Sequence, residues 1–215
     1  MHTHEHGRAR EILAHMRAHE TGRHIIVLTL TRELLGRAVS GFFQNMSNPR
    51  NSQYLGEPEF VQRLSPEQLV AAFRARQDWY LDRLLLPWFD EFSRTIDFDI
   101  YSSSFPHDSG GGMALDAGGR AVAVVRLEDL GRAENFLADL CELPHLDLTP
   151  RNVAEQKPIA AQYRAFCSAF EPTQAELDRY YGSRMMRHFY TSDEIAQFAR
   201  KWGTVSERVG QGGMP

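Results

Sequence analysis

Residues 24–45, HIIVLTLTRELLGRAVSGFFQN, join an apolar run to an amphipathic segment and indicate how the chain folds. The run over residues 24–30 is nearly continuous in apolar side chains, which is typical of a strand that a parallel sheet buries on both faces. Apolar residues then recur at helical spacing over residues 33–46. We therefore expect a strand followed directly by a helix, in an α/β fold, with the helix burying Leu34, Leu35, Val39, Phe42 and Phe43.

Arg32 lies where the strand is expected to end and the helix to begin. Open α/β sheets bind their ligands at the carboxyl ends of the strands. A guanidinium offers a planar fork of donors to a phosphate, and the hydroxyl of Ser40, two helical turns further on, can donate to the same anion. The pattern therefore predicts a phosphate site. The alternative is that Arg32 caps a carbonyl or pairs with a surface carboxylate, and that Ser40 only allows helix and sheet to pack closely.

The composition fits an ordinary globular protein of 215 residues, with 42% hydrophobic residues and a net charge of −4. Such a charge gives no electrostatic reason to expect a nucleic-acid partner or an anionic membrane surface. No apolar run approaches the roughly 18 residues of a membrane span, and the first residues are polar rather than a signal peptide. We expect a cytoplasmic protein without a membrane span, folded as one domain over residues 1–209 with a flexible tail at 210–215.

Several other elements have recognisable boundaries. Ser65, Pro66 and Gln68 have the spacing of a helix N-terminus with a capping box. Glu128 and Asp129 follow a predicted strand, where they would contact a ligand or complement the dipole of the next helix. The remaining predictions are a short strand at 97–101, a β-hairpin of strands at 113–115 and 121–127, and helices at 128–140, 158–170, 173–181 and 192–202, the last capped by Ser192.

The strand-Arg-x7-Ser-helix pattern resembles the part of sulfotransferases that binds the 3′-phosphate of 3′-phosphoadenosine 5′-phosphosulfate. The chain as a whole is similar to the bacterial capsular polysaccharide synthesis proteins, which are sulfotransferase-like. The residues that carry the similarity occur in family order, at 30–32 with 37–45, 87–90, 98–101, 126–130, 152 with 157, and 188–190 with 193–195.

The resemblance implies a P-loop-like sulfotransferase fold with a central parallel sheet and a helical C-terminal half. It implies transfer of a sulfuryl group from 3′-phosphoadenosine 5′-phosphosulfate to a saccharide hydroxyl, without a metal, in a pathway that the family name associates with capsule synthesis. Arg32 and Ser40 would bind the 3′-phosphate. Asn152 and Lys157 would help to close over the nucleotide, with the Lys157 ammonium meeting a phosphate oxygen; a solvated helix start is the alternative for this region.

His4 is the candidate general base, because sulfotransferases often carry a threonine-histidine pair shortly before the phosphate-binding strand and Thr3-His4 holds that place. An imidazole titrates near neutrality and can take the proton of an attacking hydroxyl. His2 and His6 are neighbours that could replace it. The alternatives are a mobile, solvated terminus, or a metal site formed by His2, His4 and His6 on one face of an extended segment.

The resemblance also implies a part to which no residue here can be assigned. Sulfotransferases begin with a strand and a Ser/Thr/Gly-rich loop whose amides cradle the 5′-phosphosulfate. We therefore expect an N-terminally incomplete domain, or a non-catalytic member that binds nucleotide or glycan without transfer. Loss of electrostatic support of this kind costs orders of magnitude in rate.

Overall fold

The computed structural model describes residues 11, 14, 25–46, 63–109, 112–116, 120–148 and 159–203. It is a mixed α/β structure in which helices outnumber strands. The chain separates into two compact units, one of residues 1–32 and 86–148 and the other of residues 33–85 and 149–215. The predicted flexible tail and most of residues 1–24 lie outside the described residues.

The first unit contains a three-stranded sheet in the order β1-β3-β2. The strands are β1 (Ile25–Thr31), β2 (Met113–Asp116) and β3 (Arg120–Arg126). β1 pairs with β3 in parallel, while β2 and β3 are antiparallel and form the predicted hairpin. The sheet is therefore mixed, and the expected parallel arrangement applies to the β1–β3 pair alone.

The two sides of β1 differ in their exposure. Thr29 and Thr31 are buried on one face, whereas Leu28 and Leu30 on the other are 48% and 45% exposed. The strand is thus covered on one face at these positions, and the expectation of burial on both faces is wrong for them. It holds for the central strand, because all four residues at 122–125 of β3 are buried.

Helices and turns complete the first unit. The helices are α3 (Trp88–Ile96) and α4 (Glu134–Leu140), and a 3₁₀ segment at Leu127–Arg132 precedes α4. The strand predicted at 97–101 is wrong. Asp97 ends α3 in the left-handed conformation, and the Asp99 side chain accepts from the Tyr101 amide at 2.9 Å to begin a 3₁₀ turn. Asp favours such turns because its short carboxylate bonds nearby amides.

The second unit, over its described residues, is helical. Its helices are α1 (Leu34–Met46), α2 (Pro66–Tyr80), α5 (Ala160–Ala169), α6 (Gln174–Tyr181), α7 (Arg184–Phe189) and α8 (Ser192–Gly203), and a π-helical segment, Leu81–Leu85, continues α2. None of the helices in the described ranges is long and apolar enough to cross a membrane.

Two of the predicted caps can be compared with the structure. The capping box of Ser65 and Gln68 is confirmed. The cap of α8 is Thr191 and not Ser192, because Thr191 Oγ1 accepts from the Glu194 amide at 3.2 Å and Glu194 Oε2 accepts from the Thr191 amide at 2.8 Å. A capping box needs a Glu or Gln three positions after the cap, and Thr191 meets that spacing with Glu194.

Aromatic side chains form the core of the second unit. Phe166 and Phe170 of α5 and its C-cap stack at 5.0 Å between ring centroids, and Phe73 of α2 meets both edge-on at 5.4 and 5.3 Å. Phe42 and Phe43 of α1 join the same cluster. Each such pair contributes about 0.5–1.5 kcal/mol beyond the burial of its area, so this cluster joins α1, α2 and α5. All five apolar residues predicted to be buried on α1 are buried.

Candidate functional site

Arg32 follows the carboxyl end of β1, as the sequence predicts. The last residue of β1, Thr31, lies opposite the last residue of β3, Arg126. Two parallel strands therefore end side by side in the first unit, and each contributes an arginine at or directly after its end. Arg32 is half-buried, whereas Arg126 is 2% exposed.

The guanidinium of Arg126 is engaged within the protein. Its Nε and Nη2 donate to Asp129 Oδ2, and Arg132 Nη2 donates to the other oxygen of the same carboxylate. The Arg126 guanidinium also lies over the ring of Phe105, with its Cζ 5.4 Å from the ring centroid. This ion pair holds the 3₁₀ turn against the end of β3, and the Arg132 side chain is 64% exposed.

The structure gives Asp129 a role that the sequence analysis did not consider. Its carboxylate accepts from Arg126 and Arg132, so it serves the local ion-pair network. The sequence signal was an arginine at a strand end with an aspartate three residues later, a spacing that one helical turn brings together. Glu128, in contrast, is exposed.

A histidine lies beside the same aromatic ring. His107 meets Phe105 edge-on with 5.4 Å between the ring centroids. Its Nδ1 is buried, and it has no hydrogen-bond partner within the described part of the chain. Sequence patterns did not single out His107, although Phe105 lies only two residues before it.

The beginning of α1 is capped by Glu33, which sequence reasoning treated only as the first helical residue. Glu33 Oε2 accepts from the Gly36 amide at 2.5 Å, and its backbone carbonyl accepts from the Arg37 amide at 2.9 Å. Trp202 Nε1 donates to Glu33 Oε1 at 2.7 Å. A carboxylate at this end of a helix is stabilised by the dipole. The Gly36 amide is thus already bonded to the protein's own carboxylate rather than presented to a phosphate.

Ser40 lies further along α1 and is half-buried. Its neighbours on the helix pack against the end of α2. Asn45 forms a hydrogen bond with the Tyr80 phenol, and a Cβ at Gly41 would overlap Tyr80 Oη and lie 2.8 Å from its Cζ. Packing therefore explains why Gly41 has no side chain and what Asn45 binds.

The pKa shifts of Tyr80 and Arg37 agree with the close packing around Tyr80. Burial raises the pKa of Tyr80 despite the nearby Arg37 charge and the Asn45 hydrogen bond. Burial lowers the pKa of Arg37, and Tyr80 and Tyr190 act in the opposite direction. A guanidinium remains protonated under these conditions, so the second unit holds a half-buried cation, Arg37, beside the Tyr80 phenol.

The other predicted site residues, His4, Asn152 and Lys157, lie outside the described residues. The alternative metal site at His2, His4 and His6 also lies there. Within the described ranges, no group of three or more His, Cys, Asp or Glu side chains is placed to hold a metal ion.

No family model, curated protein or solved structure matches this chain. The sulfotransferase resemblance therefore rests on the residue pattern alone.

Proposed function

We propose that the chain is a sulfotransferase-like protein that transfers a sulfuryl group from 3′-phosphoadenosine 5′-phosphosulfate to a saccharide hydroxyl, on a P-loop-like sulfotransferase fold. The observation that carries the proposal is the position of Arg32, directly after the carboxyl end of a strand in a parallel pair and directly before α1. Ligands of open α/β sheets bind at this end of the strands.

In this proposal Arg32 and Ser40 bind the 3′-phosphate. Arg126 is not assigned this role, because Asp129 already neutralises its charge inside the first unit. The negative charge of Glu33 stays at the start of α1, because its carboxylate accepts hydrogen bonds from the Gly36 amide and the Trp202 indole. Arg32 would supply two parallel N–H donors and Ser40 a hydroxyl. Asn152 and Lys157 would contact the nucleotide, with the Lys157 ammonium meeting a phosphate oxygen.

The reaction is an in-line displacement at sulfur. The acceptor oxygen forms a bond to sulfur, the bond from sulfur to the bridging phosphate oxygen breaks, and 3′-phosphoadenosine 5′-phosphate leaves with that electron pair. His4 takes the proton of the acceptor hydroxyl as the new bond forms. The charge that develops on the bridging oxygen requires donors beyond those assigned here, as the resemblance implies for the phosphosulfate loop.

Calorimetric titration with 3′-phosphoadenosine 5′-phosphate tests the binding half of the proposal, on protein expressed with any in-frame upstream coding sequence. Arg32→Ala is expected to weaken binding by about 10- to 100-fold, because hydrogen bonds to charged groups contribute about 1.5–3 kcal/mol. Ser40→Ala is expected to weaken it about fivefold. Arg83→Ala and Ser168→Ala, at exposed positions of the second unit, are the matched controls.

The outcomes separate two functions. Absence of binding by the unmodified protein, or unchanged binding by Arg32→Ala, would overturn the proposal. Binding without transfer of labelled sulfate to any saccharide would identify the alternative, a non-catalytic protein that binds nucleotide or glycan.

A further inference from the structure

The buried carboxylate of Glu33 accepts hydrogen bonds from two different helices of the second unit. Glu33 is 5% exposed. Its Oε2 accepts from the Gly36 amide at 2.5 Å, and its Oε1 accepts from the Trp202 indole at 2.7 Å. Each carboxylate oxygen therefore has a donor of its own, one on α1 and one on α8. The proposed transfer gives this carboxylate no chemical step.

The ionised form of Glu33 suits these two bonds better than the neutral form. A carboxylate only accepts hydrogen bonds, whereas a protonated carboxyl group carries an O–H that is itself a donor. Hydrogen bonds to an ionised acceptor are also about twice as strong as those between neutral groups. Protonation of Glu33 therefore weakens at least one of the two bonds.

The bond from Trp202 is the one that protonation weakens most. Oε2 has the shorter bond, and its donor is an amide in the first turn of α1, where the helix dipole favours negative charge. The proton is therefore expected on Oε1 of Glu33. That oxygen then belongs to a hydroxyl group, which is a weaker acceptor for the indole N–H than a carboxylate oxygen.

The other titratable groups around Glu33 keep their charge in acid. On α6, burial raises the pKa of Tyr181 and of Tyr180, and the negative charge of Glu33 acts in the same direction, so both phenols are neutral. The charged residues that adjoin Glu33 and Trp202 along the chain are Arg32, Arg37, Arg200 and Lys201. Arginine and lysine remain protonated below neutral pH. Among all these groups, Glu33 is the one whose charge changes on acidification.

Aromatic contacts confine the change to the last turn of α8. Phe198 stacks on Tyr181 with 6.5 Å between the ring centroids and meets Tyr190 edge-on at 5.3 Å. Trp202, one turn later, is buried and meets Phe170 edge-on at 6.0 Å. The contacts of Phe198 do not depend on a group that titrates in acid. Those of Trp202 include the bond to Glu33.

We propose that Glu33 is a pH-sensitive switch, which in its ionised form holds Trp202 and the last turn of α8 against the beginning of α1 and in its protonated form releases them. Such a switch requires a charge change at one group and an element with two positions. The charge change is on Glu33, and the element is the last turn of α8. The inference does not depend on the proposed sulfotransferase function.

Hydrogen exchange of the indole N–H groups, followed by NMR on the full chain between about pH 8 and pH 4, tests the inference. The ratio of the Trp79 rate to the Trp202 rate cancels the intrinsic effect of pH, because Trp79 is 53% exposed. We expect this ratio to fall by about 10- to 100-fold in a one-proton transition, as a hydrogen bond to a charged group is lost. Glu33→Gln is expected to give the low ratio at every pH. Glu171→Gln, at an exposed position of the second unit, is the matched control and is expected to behave like the unmodified protein.

Three outcomes would overturn the inference. The first is a constant ratio across this pH range, and the second is a Glu33→Gln variant that keeps the high ratio of the unmodified protein. The third is loss of the helical circular dichroism signal in the same transition, which would mean that the whole protein unfolds. If Glu33→Gln does not fold, the titration of the unmodified protein decides by itself. No nucleotide is added, so failure of the sulfotransferase proposal leaves this test intact.

Discussion

Trp202 donates its indole N–H to Glu33 Oε1 at 2.7 Å, which ties the last described helix to the residue that caps α1. Both side chains are buried. The bond gives a buried carboxylate a second donor besides the Gly36 amide, and burial of a charge is tolerated when such donors surround it. The position of α1, on which Ser40 lies, therefore depends on a residue 169 positions away in the sequence.

Trp202→Phe is expected to lower the free energy of unfolding by about 1.5–3 kcal/mol, because it removes a hydrogen bond to a charged, buried acceptor. Urea denaturation measures the difference. Trp79→Phe is the control, since Trp79 is 53% exposed and its replacement is expected to cost about 0.5 kcal/mol or less. Equal losses for the two variants would mean that the indole N–H does not stabilise Glu33.

Gly41→Ala is expected to destabilise the protein by about 1–3 kcal/mol, because the added methyl group would overlap Tyr80 Oη. Helix propensity alone predicts the opposite sign. Gly203→Ala is the control, as a Cβ there meets no atom within 4 Å. The double variant with Tyr80→Phe is expected to recover part of the loss in thermal unfolding. Additive losses in that double variant would contradict a direct clash.

Asp129→Asn is expected to cost about 3–5 kcal/mol in unfolding free energy, because it leaves the Arg126 charge buried without its carboxylate. Asp139→Asn, at an exposed position of α4, is expected to change stability by about 0.5 kcal/mol or less. Chemical denaturation of both variants measures these changes in the free energy of unfolding. A small effect of Asp129→Asn would show that Arg126 finds another acceptor.

His4→Ala is expected to lower the rate of sulfuryl transfer by about 10²- to 10⁴-fold while leaving the affinity for 3′-phosphoadenosine 5′-phosphate unchanged, because a general base acts on the acceptor proton. The measurement is transfer of labelled sulfate under saturating donor. His107→Ala provides the comparison, since His107 is an imidazole in contact with Phe105 of the first unit. Loss of transfer in His107→Ala alone would move the base to that residue.

Local patterns predicted the elements whose boundaries depend on neighbouring residues. The apolar spacing of α1 and the Ser65 capping box both act within a few residues, and both are confirmed. The predicted strand at 97–101 was wrong because alternating apolar residues there are overridden by the turn-forming aspartates 97 and 99. Turn formation also depends on neighbouring residues, so residues 97–101 themselves contained the signal for a turn.

The features of the candidate site also differ in how far they can be predicted from neighbouring residues. The position of Arg32 at the end of β1 follows from the length of an apolar run, and the sequence predicts it. The bond from the Gly36 amide to Glu33 spans three residues and is local, whereas the bond from Trp202 comes from 169 residues away and cannot be inferred from local spacing. The pairing of Arg126 with Asp129 is intermediate, since the spacing is local but its burial depends on Phe105.

The two units alternate along the chain, because residues 33–85 of the second unit come between β1 and the rest of the first. During synthesis β1 is made long before β3, its parallel partner, and Glu33 long before Trp202. Neither unit is complete when the ribosome reaches residue 120. The nascent chain therefore carries an unpaired β1 and an unclosed aromatic core for most of its translation, and exposed apolar surface of this kind favours aggregation until its partners have been made.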